Sequence, residues 1–79
     1  MTWEEELDAI GLLCPLPVLK ARKRLLAMAE GTVLLIRADD PAAIVDVPHF
    51  CSEAGHRMIS QHREGAELRF FIRKGGSSA

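Results

Sequence analysis

Cysteine is scarce, with only Cys14 and Cys51 in 79 residues. Small secreted domains compensate for a thin core with a dense disulfide framework, and two cysteines do not make one. Both are expected to be reduced thiols. Tyrosine is absent, and the aromatic residues are Trp3, Phe50, Phe70 and Phe71 alone. A surface that reads unpaired bases by stacking therefore has little to work with, Phe71 being the main candidate. Charge of one sign is also missing: ten Lys and Arg against eleven Asp and Glu leave a formal net charge of −1. Nothing global draws the chain to nucleic acid or to an anionic membrane. No apolar run approaches the roughly 20 residues that a membrane helix needs. The first residues, Met1-Thr2-Trp3-Glu4-Glu5-Glu6, are acidic where a secretory signal is basic and then apolar. Cytoplasmic residence is expected, with no membrane association and no direct contact with nucleic acid.

What is present fits one soluble globular domain spanning residues 1–79, with residues 75–79 as a flexible tail. Nearly half of the residues are hydrophobic, and charges of both signs are spread among them, a balance that supports independent folding. A domain of this length buries only about 60 % of its unfolded surface, which leaves little room for a large substrate cavity.

The order of elements reads as βαβαββ, without linker or internal repeat. Residues 6–10, ending at Gly11, form a short first strand. Over residues 15–29 the side chains of Val18, Ala21, Leu25 and Met28 recur at helical spacing, opposite Lys20, Lys23 and Arg24. Glu30-Gly31 stops that helix, and residues 32–38, TVLLIRA, are the β-branched and aliphatic run of a central strand. Asp40 can cap a second helix starting at Pro41 and ending at Gly55. Pro48 inside it predicts a kink or a split near Val47. Residues 56–62 and 67–73 form a hairpin around Glu64-Gly65-Ala66. Two right-handed crossovers followed by a hairpin place both helices on one face of a four-stranded mixed sheet, an α+β fold whose other face stays comparatively open.

The stretch Gly11-Leu12-Leu13-Cys14-Pro15-Leu16-Pro17 puts a thiol where a strand gives way to a helix. Pro15 disfavours helical angles at Cys14 and favours an N-cap conformation there. Pro15 and Pro17 lack N–H groups, so those of Leu16 and Val18 are left to face the sulfur. With the helix dipole added, Cys14 is expected to be partly thiolate at neutral pH and to need no general base.

Five separated blocks carry a resemblance that spans almost the whole chain: Leu7-Asp8 to Gly11-Leu12; Cys14-Pro15-x-Pro17-Val18; Ile36 to Ala38-Asp39-Asp40-Pro41-Ala42; Asp46-x-Pro48-x-Phe50-Cys51; and Ile72-Arg73-Lys74-Gly75-Gly76. Together they resemble the TusA (SirA-like, CPxP) sulfur-carrier family. The resemblance implies a two-layer α/β sandwich in which Cys14 accepts sulfane sulfur, as a persulfide, from a cysteine desulfurase or a rhodanese-type donor. The sulfur then passes to an acceptor protein, in a relay that serves tRNA 2-thiouridine synthesis, sulfur oxidation or molybdenum-cofactor assembly. Leu13 departs from the basic residue found before the cysteine in the tRNA branch. In this chemistry the Cys14 thiolate attacks the outer sulfur of the donor persulfide, and an acceptor thiolate later attacks the outer sulfur on Cys14. No cofactor is implied.

Cys51, following Phe50, reads as a core residue, with a resolving thiol as the other reading. His49, Cys51 and His56 do not have a recognised zinc spacing, and no metal is expected. Lys20, Arg22, Lys23 and Arg24 form either a solvated helix face or a docking patch for acidic partner surface, and Arg22 and Lys23 coincide with basic positions of the resembling family. Two rival functions are a ubiquitin-like carrier, for which Ser77-Ser78-Ala79 stand in place of a terminal glycine, and a regulatory or RNA- or protein-binding module without sulfur transfer.

Overall fold

The computed structural model describes residues 2–76, which form β1 (Glu5–Ala9), α1 (Leu16–Leu26), β2 (Val33–Ala38), α2 (Ala43–Ala54), β3 (Arg57–Glu64) and β4 (Glu67–Arg73). The expected βαβαββ order holds. The strands make one sheet in the order β1-β2-β4-β3. β1 runs parallel to β2, while β4 is antiparallel to both β2 and β3. The hairpin strand β4 thus inserts between β2 and β3, and the crossover through α2 skips one strand position.

Alternation along the strands sorts the core into two layers. Leu34, Ile36 and Ala38 of β2 and Leu68, Phe70 and Ile72 of β4 point to the helices, where they meet Ala21 and Leu25 of α1 and Val47, Phe50 and Cys51 of α2. Full burial of side chains such as Leu25 or Phe70 contributes about 1.5–3 kcal/mol each. The opposite face is less open than expected. Val33, Leu35 and Phe71 form a second buried cluster with Ile59 packed against it, and Trp3 covers Phe71 edge-on at 5.4 Å between ring centroids. Phe71, the main candidate for base stacking, is only 7 % exposed. The rest of that face is an ion-pair lattice in which Glu67 receives Arg37 at 3.0 Å and Arg69 at 2.7 Å.

Both helices depart from the sequence-based expectations. Regular α1 ends at Leu26 rather than near residue 29, because Ala27 and Met28 bond back to the carbonyls of Arg24 and Leu25 in a tighter turn. The Lys74 ammonium then donates to the carbonyls of Leu25 (2.6 Å) and Met28 (3.1 Å), placing a cation at the negative end of the helix. α2 begins at Ala43, with Ala42 and not Asp40 at the cap; Asp40 supports that turn from outside, its side chain accepting from Ala42 N–H at 3.1 Å. α2 also runs unsplit through Pro48. Pro48 deprives the Ile44 carbonyl of its helical donor, but the buried row Ala43, Val47, Phe50 and Cys51 on one side of the helix anchors both halves to the sheet. Gly55 closes α2 in the left-handed conformation at φ 81°, as expected.

Gly65, at φ 62°, opens the two-residue hairpin loop, a geometry that suits a residue without Cβ. Of the expected tail, Gly75 donates its N–H to His56 Nδ1 at 3.0 Å and passes so near Gly55 that a Cβ there would collide with the Gly55 carbonyl oxygen; residues 77–79 lie outside the described residues. Among the described residues no helix is long and apolar enough to cross a membrane.

Candidate functional site

Two aspartates at the end of β2 position the loop between β1 and α1. Asp39 accepts the Gly11 N–H at 2.9 Å, and Asp40 accepts the Cys14 N–H at 2.7 Å. Because β1 and β2 run parallel, the loop leaving the end of one strand lies beside the loop leaving the end of the other. A single Asp-Asp-Pro turn therefore starts α2 and tethers the cysteine loop.

Cys14 is exposed and Cys51 is buried, and both are free thiols. Cys14 does not occupy the N-cap. Pro15 does, after a cis Cys14–Pro15 peptide, and α1 starts at Leu16. The Leu16 N–H expected to face the sulfur donates instead to the Leu13 carbonyl at 2.9 Å. Pro17 is buried against the core, Val18 is half-buried and Leu16 is exposed. The sulfur itself turns to the other helix, where Sγ donates to Asp46 Oδ2 at 2.9 Å.

That contact reverses the expected electrostatics. The hydrogen bond to Asp46, then desolvation, then the negative charges of Asp46 and Asp40 raise the Cys14 thiol above its ordinary value. The direction is opposite to the lowering expected from a helix start, since an adjacent carboxylate outweighs a helix start whose first N–H is already used.

Cys14 opens onto a cleft of about 340 Å³ between the helices, lined by Val18 and Arg22 of α1 and by Asp46, His49, Phe50 and Glu53 of α2. Its volume lies at the lower end of the range for small-molecule sites. The Arg22 guanidinium lies over the Phe50 ring at 5.0 Å, a cation–π contact that holds a positive charge at the cleft. Lys23 is not part of this arrangement; with Lys20 and Arg24 it borders a separate depression beside Leu7 and Ala27. The structure therefore divides the basic pair Arg22 and Lys23 between two surfaces.

Cys51 is 2 % exposed, and burial pushes its thiol up to about 11. Its place in the core agrees with the sequence reading. His49 borders the cleft, whereas His56 packs against Phe50 and accepts from Gly75. Burial, followed by the charges of Lys74 and Arg22, lowers the His56 pKa. Among the described residues no group of three or more His, Cys, Asp and Glu side chains could hold a metal ion.

Sequence reasoning did not assign Asp46 to the sulfur or Asp40 to the cysteine loop. The available signal was that both aspartates fall within the five blocks that carry the resemblance.

The fold is that of the SirA-like protein from Desulfitobacterium hafniense, whose crystal structure superposes with a TM-score of 0.81 at 23 % identity, covering 92 % of this chain and 100 % of that one. The family model described as sulfurtransferase TusA matches residues 5–74, from the start of β1 to the residue after β4. With its match running through the cysteine loop, both helices and all four strands, this chain belongs to the TusA sulfurtransferase family.

Proposed function

We propose that this protein is a sulfur carrier in which Cys14 takes sulfane sulfur from a protein donor as a persulfide and passes it to an acceptor protein. The observation that carries this reading is the Cys14 thiol, exposed at the mouth of an inter-helix cleft in a chain of the TusA family. An exposed thiol on a tethered loop suits exchange between two proteins, because the outer sulfur must be reached first by the donor and then by the acceptor. Loading forms a bond between Cys14 Sγ and the donor's outer sulfur and releases the donor as a thiol. Unloading repeats the exchange at the outer sulfur with the acceptor as nucleophile. Cys51, enclosed in the core, takes no part.

The donor is a cysteine desulfurase or a rhodanese-type protein, and the acceptor belongs to a sulfur-trafficking pathway such as tRNA 2-thiouridine synthesis. Leu13, 70 % exposed beside the reacting residue, gives that approach an apolar rather than a basic surface. A reducing cytoplasm keeps both thiols free for this role.

Incubation with a cysteine desulfurase and cysteine, followed by intact-mass measurement, tests the reading. A gain of one sulfur is expected in the wild type and in Cys51→Ala, but not in Cys14→Ser, and a reductant should remove it. Loading that persists without Cys14 refutes the assignment.

A further inference from the structure

The Cys14–Asp46 contact joins residues 32 positions apart and couples the cysteine loop to α2. Asp46 is half-buried in the first turn of α2, where its neighbour Val47 is fully buried and fixes the helix on the sheet. The carboxylate is thus presented by a rigid element and the thiol by a loop, an arrangement suited to positioning. We propose that Asp46 is the proton acceptor and positioning residue for sulfur loading: it holds empty Cys14 as a hydrogen-bonded thiol, takes its proton during attack, and repels the sulfur once it carries a persulfide anion.

This inference rests on Cys14 being the sulfur-bearing residue and adds a means of distinguishing the empty from the loaded state. In the empty state the S–H proton satisfies Asp46. As a protonated donor persulfide approaches, the Cys14 proton moves to Asp46 Oδ2, and the freed electron pair forms the bond from Sγ to the donor's outer sulfur. The donor's S–S bond breaks, and its electron pair leaves with the donor sulfur as a thiolate, which recovers the proton from Asp46. One sulfur atom changes owner, and no external oxidant or reductant is consumed. A thiolate derived from a less acidic thiol is also the stronger nucleophile once its proton has gone.

The product hydropersulfide is more acidic than a thiol and loses its proton to water. It then has nothing to donate to Asp46, and like charges repel at short range. The other ionisable groups facing the site are Asp40 on the loop after β2, which already accepts the Cys14 N–H, Arg22 on α1, and His49 and Glu53 on α2. Asp40 adds to the repulsion, while Arg22 offers the released anion a counter-charge on the cleft side.

The test is the pH–rate profile of iodoacetamide alkylation at Cys14, measured by intact mass on the empty and on the loaded full-length protein. For the empty protein, Asp46→Asn should move the inflection to lower pH and raise the neutral-pH rate severalfold, and Asp46→Glu should retain a high inflection. For the loaded protein, already ionised, the substitution should change the rate little. Coincident empty-state profiles with normal loading overturn the role of Asp46 alone, and an equal response of both states overturns the release step. Failure of the wild type to load overturns the carrier reading and this inference with it. Should Asp46→Asn not fold, the wild type decides: its inflection must lie above that of the same cysteine in the urea-unfolded chain, and one at or below it overturns the proposal.

Discussion

The backbone N–H of Cys14 is held by the Asp40 carboxylate at 2.7 Å, across 26 residues of chain. The same carboxylate accepts from Ala42 N–H, so one side chain ties the cysteine loop to the start of α2. These two bonds, in that order, hold the Asp40 carboxyl below the usual carboxylate range. A depressed folded-state value stabilises the anchor above the ordinary aspartate pKa of about 3.9, and the benefit is lost as pH falls through the lower folded value. Asp40→Ala should speed amide exchange at residues 10–14 and slow sulfur loading, with little change in strands β2 and β4. Unchanged exchange at Cys14 would show that the loop does not depend on this residue.

Thiol labelling should separate the two cysteines by burial. Native protein is expected to react with an excess of thiol reagent at Cys14 alone, since Cys51 is enclosed and raised to about 11. Denaturant should expose the second site. Rapid labelling of Cys51 under native conditions would contradict its place on the buried face of α2.

The division of the basic helix face predicts unequal effects of two adjacent substitutions. Arg22→Ala removes the charge held over Phe50 at the cleft and should raise the KM for the loading donor severalfold. Lys23→Ala, on the other depression, should leave loading near the wild-type rate. Steady-state loading against donor concentration distinguishes them, and equal effects would mean that the donor covers both surfaces.

Acid stability should report on the ion pairs of the helix-free sheet face. Glu67, bonded first by Arg37 and then by Arg69, is lowered to about 2. Its contribution is fully present above the unfolded glutamate value of about 4.3 and disappears as pH falls through the folded value. Glu67→Gln should therefore unfold more easily than wild type at neutral pH, with the difference shrinking as pH falls from 4 towards 2. Urea titrations at several pH values check this, and a gap independent of pH would assign the effect to packing.

Much of the fold was legible because hydrophobic periodicity and turn residues act locally. The alternation in residues 67–73 matches β4 to the residue, and Gly55 marks the end of α2 as its left-handed cap requires. Helix starts were harder to read, since a proline permits several first turns and only tertiary contacts choose among them. At Pro48 the local rule predicts a kink or a split, and burial of residues on both sides keeps the helix unsplit.

The candidate site divides in the same way. The cysteine beside its prolines, its exposed position before α1 and the buried second cysteine all follow from residue types and their neighbours along the chain. The acidity of Cys14 does not, because an electrostatic shift depends on charges close in space, and its two carboxylates arrive from 26 and 32 residues away. Sequence alone determined which atoms are available for chemistry and which elements carry them. Tertiary structure decided that β4 enters between β2 and β3 and that the thiol faces Asp46 instead of a free helix N–H, because strand pairing and helix packing set distances that no local spacing encodes.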